Sequence, residues 1–237
     1  MGAIMRRTLA TIFMFCSGYA YACEPNEVDV TLALVADVST SMDEGEKEIQ
    51  RIGYATAFEE GPVIDAILDG RCGRIAVTYI EFGTTPSTIV PWTVIDSDEA
   101  SHAFAEAIRA APPKTDSGMT GIARAMEYAA DQISAAPWVA ERLVMDVSAD
   151  GQDNVTATVS SVRDKITTGT RENNWRQITV NGLIIHNTLP AYNMTQSDFS
   201  QWFRHNVVGG PGHFSIEIKG VNQIPEAVRR KLVLEIS

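Results

Sequence analysis

Cysteine is scarce in this 237-residue sequence, which holds three. So few exclude a disulfide-stapled miniprotein and a multi-cysteine zinc cage. A chain this long buries about 70% of the surface its unfolded form exposes, so it needs no bridges to fold. Basic charge is short as well. Nineteen lysines and arginines face 30 aspartates and glutamates, for a formal net charge of -11. Such a surface repels phosphate backbones and anionic lipid, which argues against nucleic acid as a partner. After residue 22 no stretch approaches the ~18 continuous apolar residues of a membrane span, so the mature chain is not expected to be an integral membrane protein. His102, His186, His205 and His213 show no metal-motif spacing, and no H-E-x-x-H occurs. The glycine-rich stretch from Gly209 to Gly212 has no lysine of a phosphate-binding loop. No G-x-S-x-G elbow is present. Repeats, low-complexity tracts and dividing linkers are absent too.

What is present begins at the N-terminus. Arg6 and Arg7 precede an apolar stretch from Leu9 to Phe15, and Ala20-Tyr21-Ala22 fits the A-x-A cleavage pattern. Residues 1–22 therefore read as a secretory signal peptide, and 23–237 as one mature domain in the periplasm or outside the cell. Loss of Arg6 and Arg7 leaves 17 basic against 30 acidic side chains, a net charge near -13. Cys23 follows the cut directly, where lipoproteins are acylated. Ala20 in place of the usual leucine, and the bulk of Tyr21, argue against a lipid anchor. Cys16 leaves with the signal. Cys23 and Cys72 remain in an oxidising compartment, where they either bridge and tie down the N-terminal arm or stay as two thiols. Two cysteines offer no spacing pattern that chooses.

Strand and helix patterns then alternate. Val28–Ala36 (VDVTLALVA) is a nearly continuous apolar run of strand length, as in a parallel strand buried on both faces. Further strands are expected at Arg74–Phe82, Ser87–Val94, Arg142–Ser148, Gln177–Ile185 and His213–Ile218. Helices are expected at Asp43–Phe58, Val63–Leu68, Glu99–Ala111, Gly121–Ala135, Ala157–Thr168, Ser197–Val207 and Ile224–Leu234. Pro86 and Pro91 mark Ser87–Val94 as an edge strand. This alternation predicts an α/β fold, doubly wound. Its mostly parallel sheet has one antiparallel edge strand and helices on both faces.

In such sheets ligands bind beyond the carboxyl ends of the strands. Asp37-Val38-Ser39-Thr40-Ser41 follows the first strand, and Asp150-Gly151 follows the Arg142–Ser148 strand. Thr120 opens the Gly121 helix, with Thr115 and Ser117 just before it. Residues i, i+2 and i+4 of an extended turn point the same way, so Asp37, Ser39 and Ser41 can converge. Singly, Asp37 and Asp150 would read as helix caps. As a set, Asp37, Ser39, Ser41, Thr120 and Asp150 offer two carboxylates and three hydroxyls. An all-oxygen set suits Mg2+, Mn2+ or Ca2+. Two carboxylates balance a 2+ ion while hydroxyls add no charge, so the ion stays electrophilic. Asp146, Ser117 and Asp153 are candidates to support the set from behind; Asp153 and Asn154, just after Asp150-Gly151, either contact it through water or form a solvated turn. Asp146 lies four residues before Asp150 on the same strand face, where it bonds either to the site or to a buried hydroxyl.

D-x-S-x-S after the first strand, a threonine opening a later helix and S-A-D-G after a later strand resemble the metal-ion-dependent adhesion site, or MIDAS, of von Willebrand factor type A domains. IQRIGYATAF, GRIAVTYIEF, MDVSADG and VVGGPGHF further resemble a bacterial family of secreted type A-like proteins of undetermined function. The resemblance implies that Ser39, Ser41 and Thr120 touch the metal. It also implies that Asp37 and Asp150 often act through water, and that an Asp or Glu of a protein partner completes the shell. The usual double threonine of the second loop is missing here. Three functions compete: metal-dependent capture of an acidic partner, a structural envelope subunit whose metal only holds loops together, and a metal-dependent hydrolase. The last is disfavoured. Aspartate-nucleophile phosphatases carry D-x-D where this chain has Ser39, and no nucleophile–base pair is visible.

Overall fold

In a computed structural model the chain is described at residues 23–112, 114, 118–156, 158–186 and 195–237. The expected signal peptide and Ser117 lie outside the described residues. Among the described residues six strands form one sheet: β1 (Glu27–Asp37), β2 (Ile75–Phe82), β3 (Pro86–Ile95), β4 (Val139–Ala149), β5 (Thr179–Ile185) and β6 (Ser215–Ile218). Their spatial order is β3-β2-β1-β4-β5-β6, parallel throughout except for the antiparallel β2–β3 pair at one edge. β2 is buried along its whole length and β1 from Val30 onward, as nearly continuous apolar runs require when helices cover both faces.

The helices divide between the faces. α1 (Glu44–Ala57), α2 (Gly61–Leu68), α3 (Asp98–Ala110) and α7 (Ile224–Ile236) cover one face, where Tyr54, Phe58, Ile67, Phe104 and Leu232 pack on Leu32, Leu34 and Val77. α4 (Ile122–Ala135), α5 (Val159–Thr168) and α6 (Gln196–Asn206) cover the other, where Met126, Ile133, Ile166 and Phe203 meet Ala33, Val35, Met145 and Val180. The fold is therefore doubly wound, as the alternation predicted.

β1 is central, and the chain winds outward from it first through β2 and then through β4. The switch of direction lies between β1 and β4, the place where open α/β sheets bind ligands. Ala36 pairs with Ser148 at this switch, so the turns bearing Asp37 and Asp150 leave the sheet side by side.

β3 extends one residue beyond the expected strand at each end, with Pro91 inside it. Proline lacks the N–H that a ladder needs, but β3 is an edge, and the register shifts opposite Val77 and Tyr79 absorb the defect. Cys23 and Cys72 form a disulfide with Cα atoms 5.4 Å apart. It fastens the segment before β1 to the turn before β2. The Asp29 carboxylate reinforces that turn by accepting the Cys72 N–H at 2.8 Å.

Candidate metal centre

The first turn is shaped from below. Asp37 Oδ1 accepts the Ser39 N–H at 2.8 Å, curling the chain so that Ser39 and Ser41 present their hydroxyls together. The Asp37 carbonyl accepts from Gln50 Nε2 at 2.8 Å, and Gln50 Oε1 accepts from Ser148 Oγ at 3.0 Å. This buried amide bolts the turn to both α1 and β4. Asp43 then ends the turn by capping α1 in a reciprocal box with Glu46.

The five oxygen-bearing residues meet. Ser39 Oγ lies 3.0 Å from Ser41 Oγ, and Thr120 Oγ1 donates to Ser39 Oγ at 3.1 Å. Ser41 Oγ donates to Asp150 Oδ1 at 2.7 Å. Asp37, Ser39, Thr120 and Asp150 are buried, whereas Ser41 keeps partial access to solvent.

The electrostatics are those of a site short of positive charge. Burial, then the nearby Asp150, pushes the Asp37 carboxyl up to about 8. Burial pushes Asp150 up to about 6, with the charge of Glu46 adding to it. Asp37 Oδ2 is buried and has no hydrogen-bond partner. A buried carboxylate oxygen left unpaired costs on the order of 1–3 kcal/mol or more. A hard divalent cation held by this oxygen set removes both costs, so the residues fit such an ion. Among the described residues, a separate cluster of Cys23, Glu27 and Cys72 does not fit one, because both sulfurs are spent in the disulfide.

Of the supporting candidates, Asp146 lies elsewhere. It shares a strand face with Asp150, but four residues place it roughly 13 Å down the strand. There it contacts Lys231 Nζ of α7 and accepts from Tyr54 OH at 3.5 Å. Asp153 is close to the centre but acts on backbone. Its Oδ2 accepts the Ala123 N–H at 2.8 Å, and its Oδ1 accepts from Val155 and Thr156 at 2.9 and 2.6 Å.

Sequence reading missed Gln50 and Thr40, and took Asn154 for a residue of a solvated turn or a contact through water, where it bonds directly to the Thr120 backbone. Gly121, the α4 cap residue, brings no side-chain cap, and the acceptor for the Ala123 N–H comes from Asp153 instead. A Cβ at Gly121 would stand 2.9 Å from the carbonyl oxygens of Gly83 and Thr84. A helix start without its own cap must find acceptors in a neighbouring loop.

A doubly wound sheet with this oxygen cluster at its switch point is a von Willebrand factor type A fold. Solved structures agree. Proximal thread matrix protein 1 (PTMP1) from the mussel byssus, solved with a zinc-occupied MIDAS motif, matches with a TM-score of 0.60 at 14% identity, over 89% of this chain and 48% of that one. A von Willebrand factor type A protein from Catenulispora acidiphila gives 0.56 at 14% identity, over 87% and 42%. The pilus adhesin SpaC from Lactobacillus rhamnosus GG gives 0.56 at 11% identity, over 90% and 31%. This chain thus spans less than half the length of these solved chains, and at such identities the likeness shows the fold alone. The family model described as "Protein of unknown function (DUF1194)" matches residues 27–237, and the chain belongs to that family. Among curated proteins none matches.

Proposed function

We propose that this protein is an exported binding module that captures an acidic side chain of a protein partner through one divalent cation. Asp37, Ser39, Ser41, Thr120 and Asp150 would hold the ion. The observation that carries this reading is Asp37 Oδ2, buried and unpartnered beside a ring of three hydroxyls and a second carboxylate. When bound, the cation supplies a Lewis-acidic centre that prefers hard oxygen donors. The protein's part is to keep that centre electrophilic. Serine and threonine oxygens carry no charge, so the two aspartates offset the ion and leave it able to take a partner's Asp or Glu. Mg2+ and Mn2+ fit the donor set, as does Ca2+; the zinc in PTMP1 belongs to that protein.

Direct hydrogen bonds join the three loops to one another, which supports a cation used for capture over one that merely staples the turns. Hydrolysis finds little support. His186, Ser200 and Glu217 cluster, but Ser200 Oγ and Glu217 Oε1 lie 3.0 and 2.8 Å from the same imidazole nitrogen, Nε2. A catalytic relay needs the nucleophile and the acid on opposite nitrogens.

Export is supported by the A-x-A segment and by the Cys23–Cys72 bridge, which needs an oxidising compartment. No helix among the described residues is long and apolar enough to cross a membrane.

The test is a pull-down from the native envelope or culture fluid, with Mn2+ or with chelator, using the protein and its Asp37→Ala variant. Capture that needs both Mn2+ and Asp37, with circular dichroism unchanged, supports the reading. Equal capture in chelator contradicts it.

A further inference from the structure

Thr120 is the one hydroxyl of the cluster that comes from a helix entrance instead of a strand end. Its orientation has to be set by something other than the sheet. Backbone pairing with the loop after β4 supplies this. Thr120 N–H donates to Asn154 Oδ1 at 2.9 Å, and Asn154 N–H donates back to the Thr120 carbonyl at 3.0 Å. One residue therefore holds both polar groups of the Thr120 backbone. Next to it, Asp153 Oδ2 takes the Ala123 N–H at 2.8 Å and so caps α4 from outside. The opposite side of the Thr120 turn is braced as well. Gly121 N–H donates to the Gly83 carbonyl at 3.0 Å, and Met119 N–H to Thr84 Oγ1 at 2.9 Å.

The ties close a ring around the site. Thr40 joins the first loop to the second by donating both its N–H and its hydroxyl to the Gly118 carbonyl, each at 3.0 Å. Asn154 and Asp153 join the second loop to the third. Ser41 and Asp150 join the third back to the first. Loss of the Asn154 side chain removes the acceptor of the Thr120 N–H and so loosens the hold of Thr120 Oγ1 on Ser39, while the neighbouring braces and the strand-borne oxygens stay in place.

We propose that Asn154 is a positioning residue for cation binding, acting through Thr120 by clamping its backbone so that Oγ1 faces Ser39. This rests on the metal reading above. It goes beyond it by giving a non-ligand residue a defined share of the affinity. Removing supports that orient metal ligands weakens binding by about 10- to 100-fold. The lower end applies here, since the other four oxygens stay put.

The experiment is calorimetric Mn2+ titration of the metal-stripped protein and of Asn154→Ala, Asn154→Asp, Thr120→Val and Asn154→Ala/Thr120→Val, each with a thermal melt. Asn154→Ala is expected to bind about tenfold more weakly. Asn154→Asp, which keeps the acceptor for the Thr120 N–H, should bind at least as tightly as the parent. In the Thr120→Val background the Asn154→Ala penalty should disappear, because the hydroxyl it orients is gone. A general structural role would instead carry the same penalty into that background. An unchanged Asn154→Ala affinity, the same penalty in the Thr120→Val background, or an Asn154→Asp variant as weak as Asn154→Ala overturns the clamp while the metal reading stands. A parent protein that binds no Mn2+ overturns the metal reading itself, and the clamp with it.

Discussion

Lys231 is the most exposing test of how this fold is held together, because it is a fully buried ammonium in the middle of a core. It contacts Asp146 on β4 and lies 3.4 Å from Glu235 on its own helix. Tyr54 of α1 reaches Asp146, Asn181 of β5 donates to Glu235 at 3.0 Å, and the charge of Arg142 also acts on Glu235. Burial pushes Lys231 down to about 8 and pushes Glu235 up. Lys231→Met takes away the counter-charge of two buried carboxyls. Breaking such a pair from one side costs about 3–5 kcal/mol. In a domain of this size that lowers the thermal midpoint by roughly 6–20 °C. Lys231→Met/Asp146→Leu removes the pair together and should recover at least half of the loss. Urea and thermal unfolding followed by circular dichroism measure both. There is also a pH signature. With Lys231 near 8 in the folded state and near 10.5 unfolded, the unfolded chain binds more protons between those values. Stability contributed by this group therefore rises with pH across that window, and Lys231→Met flattens the rise. A Lys231→Met protein within 1 kcal/mol of the parent, or a double variant no better than the single, refutes the reasoning.

The disulfide and the carboxylates carry three more predictions. Cys23 and Cys72 are 49 residues apart, and closing a loop of that length restricts the unfolded chain by about 4 kcal/mol, so the double Cys→Ser variant should unfold at markedly lower urea. An unshifted midpoint would show the bridge to be idle. With Asp37 near 8 and Asp150 near 6, a cation must displace protons from the site. Mn2+ affinity should therefore rise from pH 5.5 to 8 with proton release, seen by calorimetry in buffers of different ionisation enthalpy. The same raised values mean that the metal-free folded state holds more protons than the unfolded chain from about pH 4 to 8. Its stability then falls as pH rises through that window, and Mn2+ reverses the fall. A flat affinity across this range counts against the assignment.

Much of this architecture can be read from side-chain pattern. VDVTLALVA and RIAVTYIEF declare strands buried on both faces, because apolar residues occupy consecutive positions in each, Leu32 to Ala36 and Ile75 to Val77, instead of alternating with polar ones. The D-x-S-x-S turn is legible because its oxygens are neighbours in sequence. Asp146 was harder. Periodicity told its face but not its depth along the strand, and its partner Lys231 stands 85 positions later on a helix whose pattern reads as ordinary. Asn154 read only as part of a solvated turn or as a contact through water, for a related reason. Its work is done on the backbone of Thr120, and backbone pairing between two loops leaves no residue-type signature. Pro91 inside β3 fits the edge position that its prolines predicted, since an edge with a register shift tolerates what a central strand cannot.

The central claim is that one hard cation sits among the side chains of Asp37, Ser39, Ser41, Thr120 and Asp150. Anomalous diffraction from crystals grown with Mn2+ tests it most directly. The account predicts a single strong peak among those five residues, with water or a carboxylate from a neighbouring molecule on the ion's outward side. A map in which that position stays empty, or in which the manganese peak stands away from Asp37 Oδ2, contradicts it.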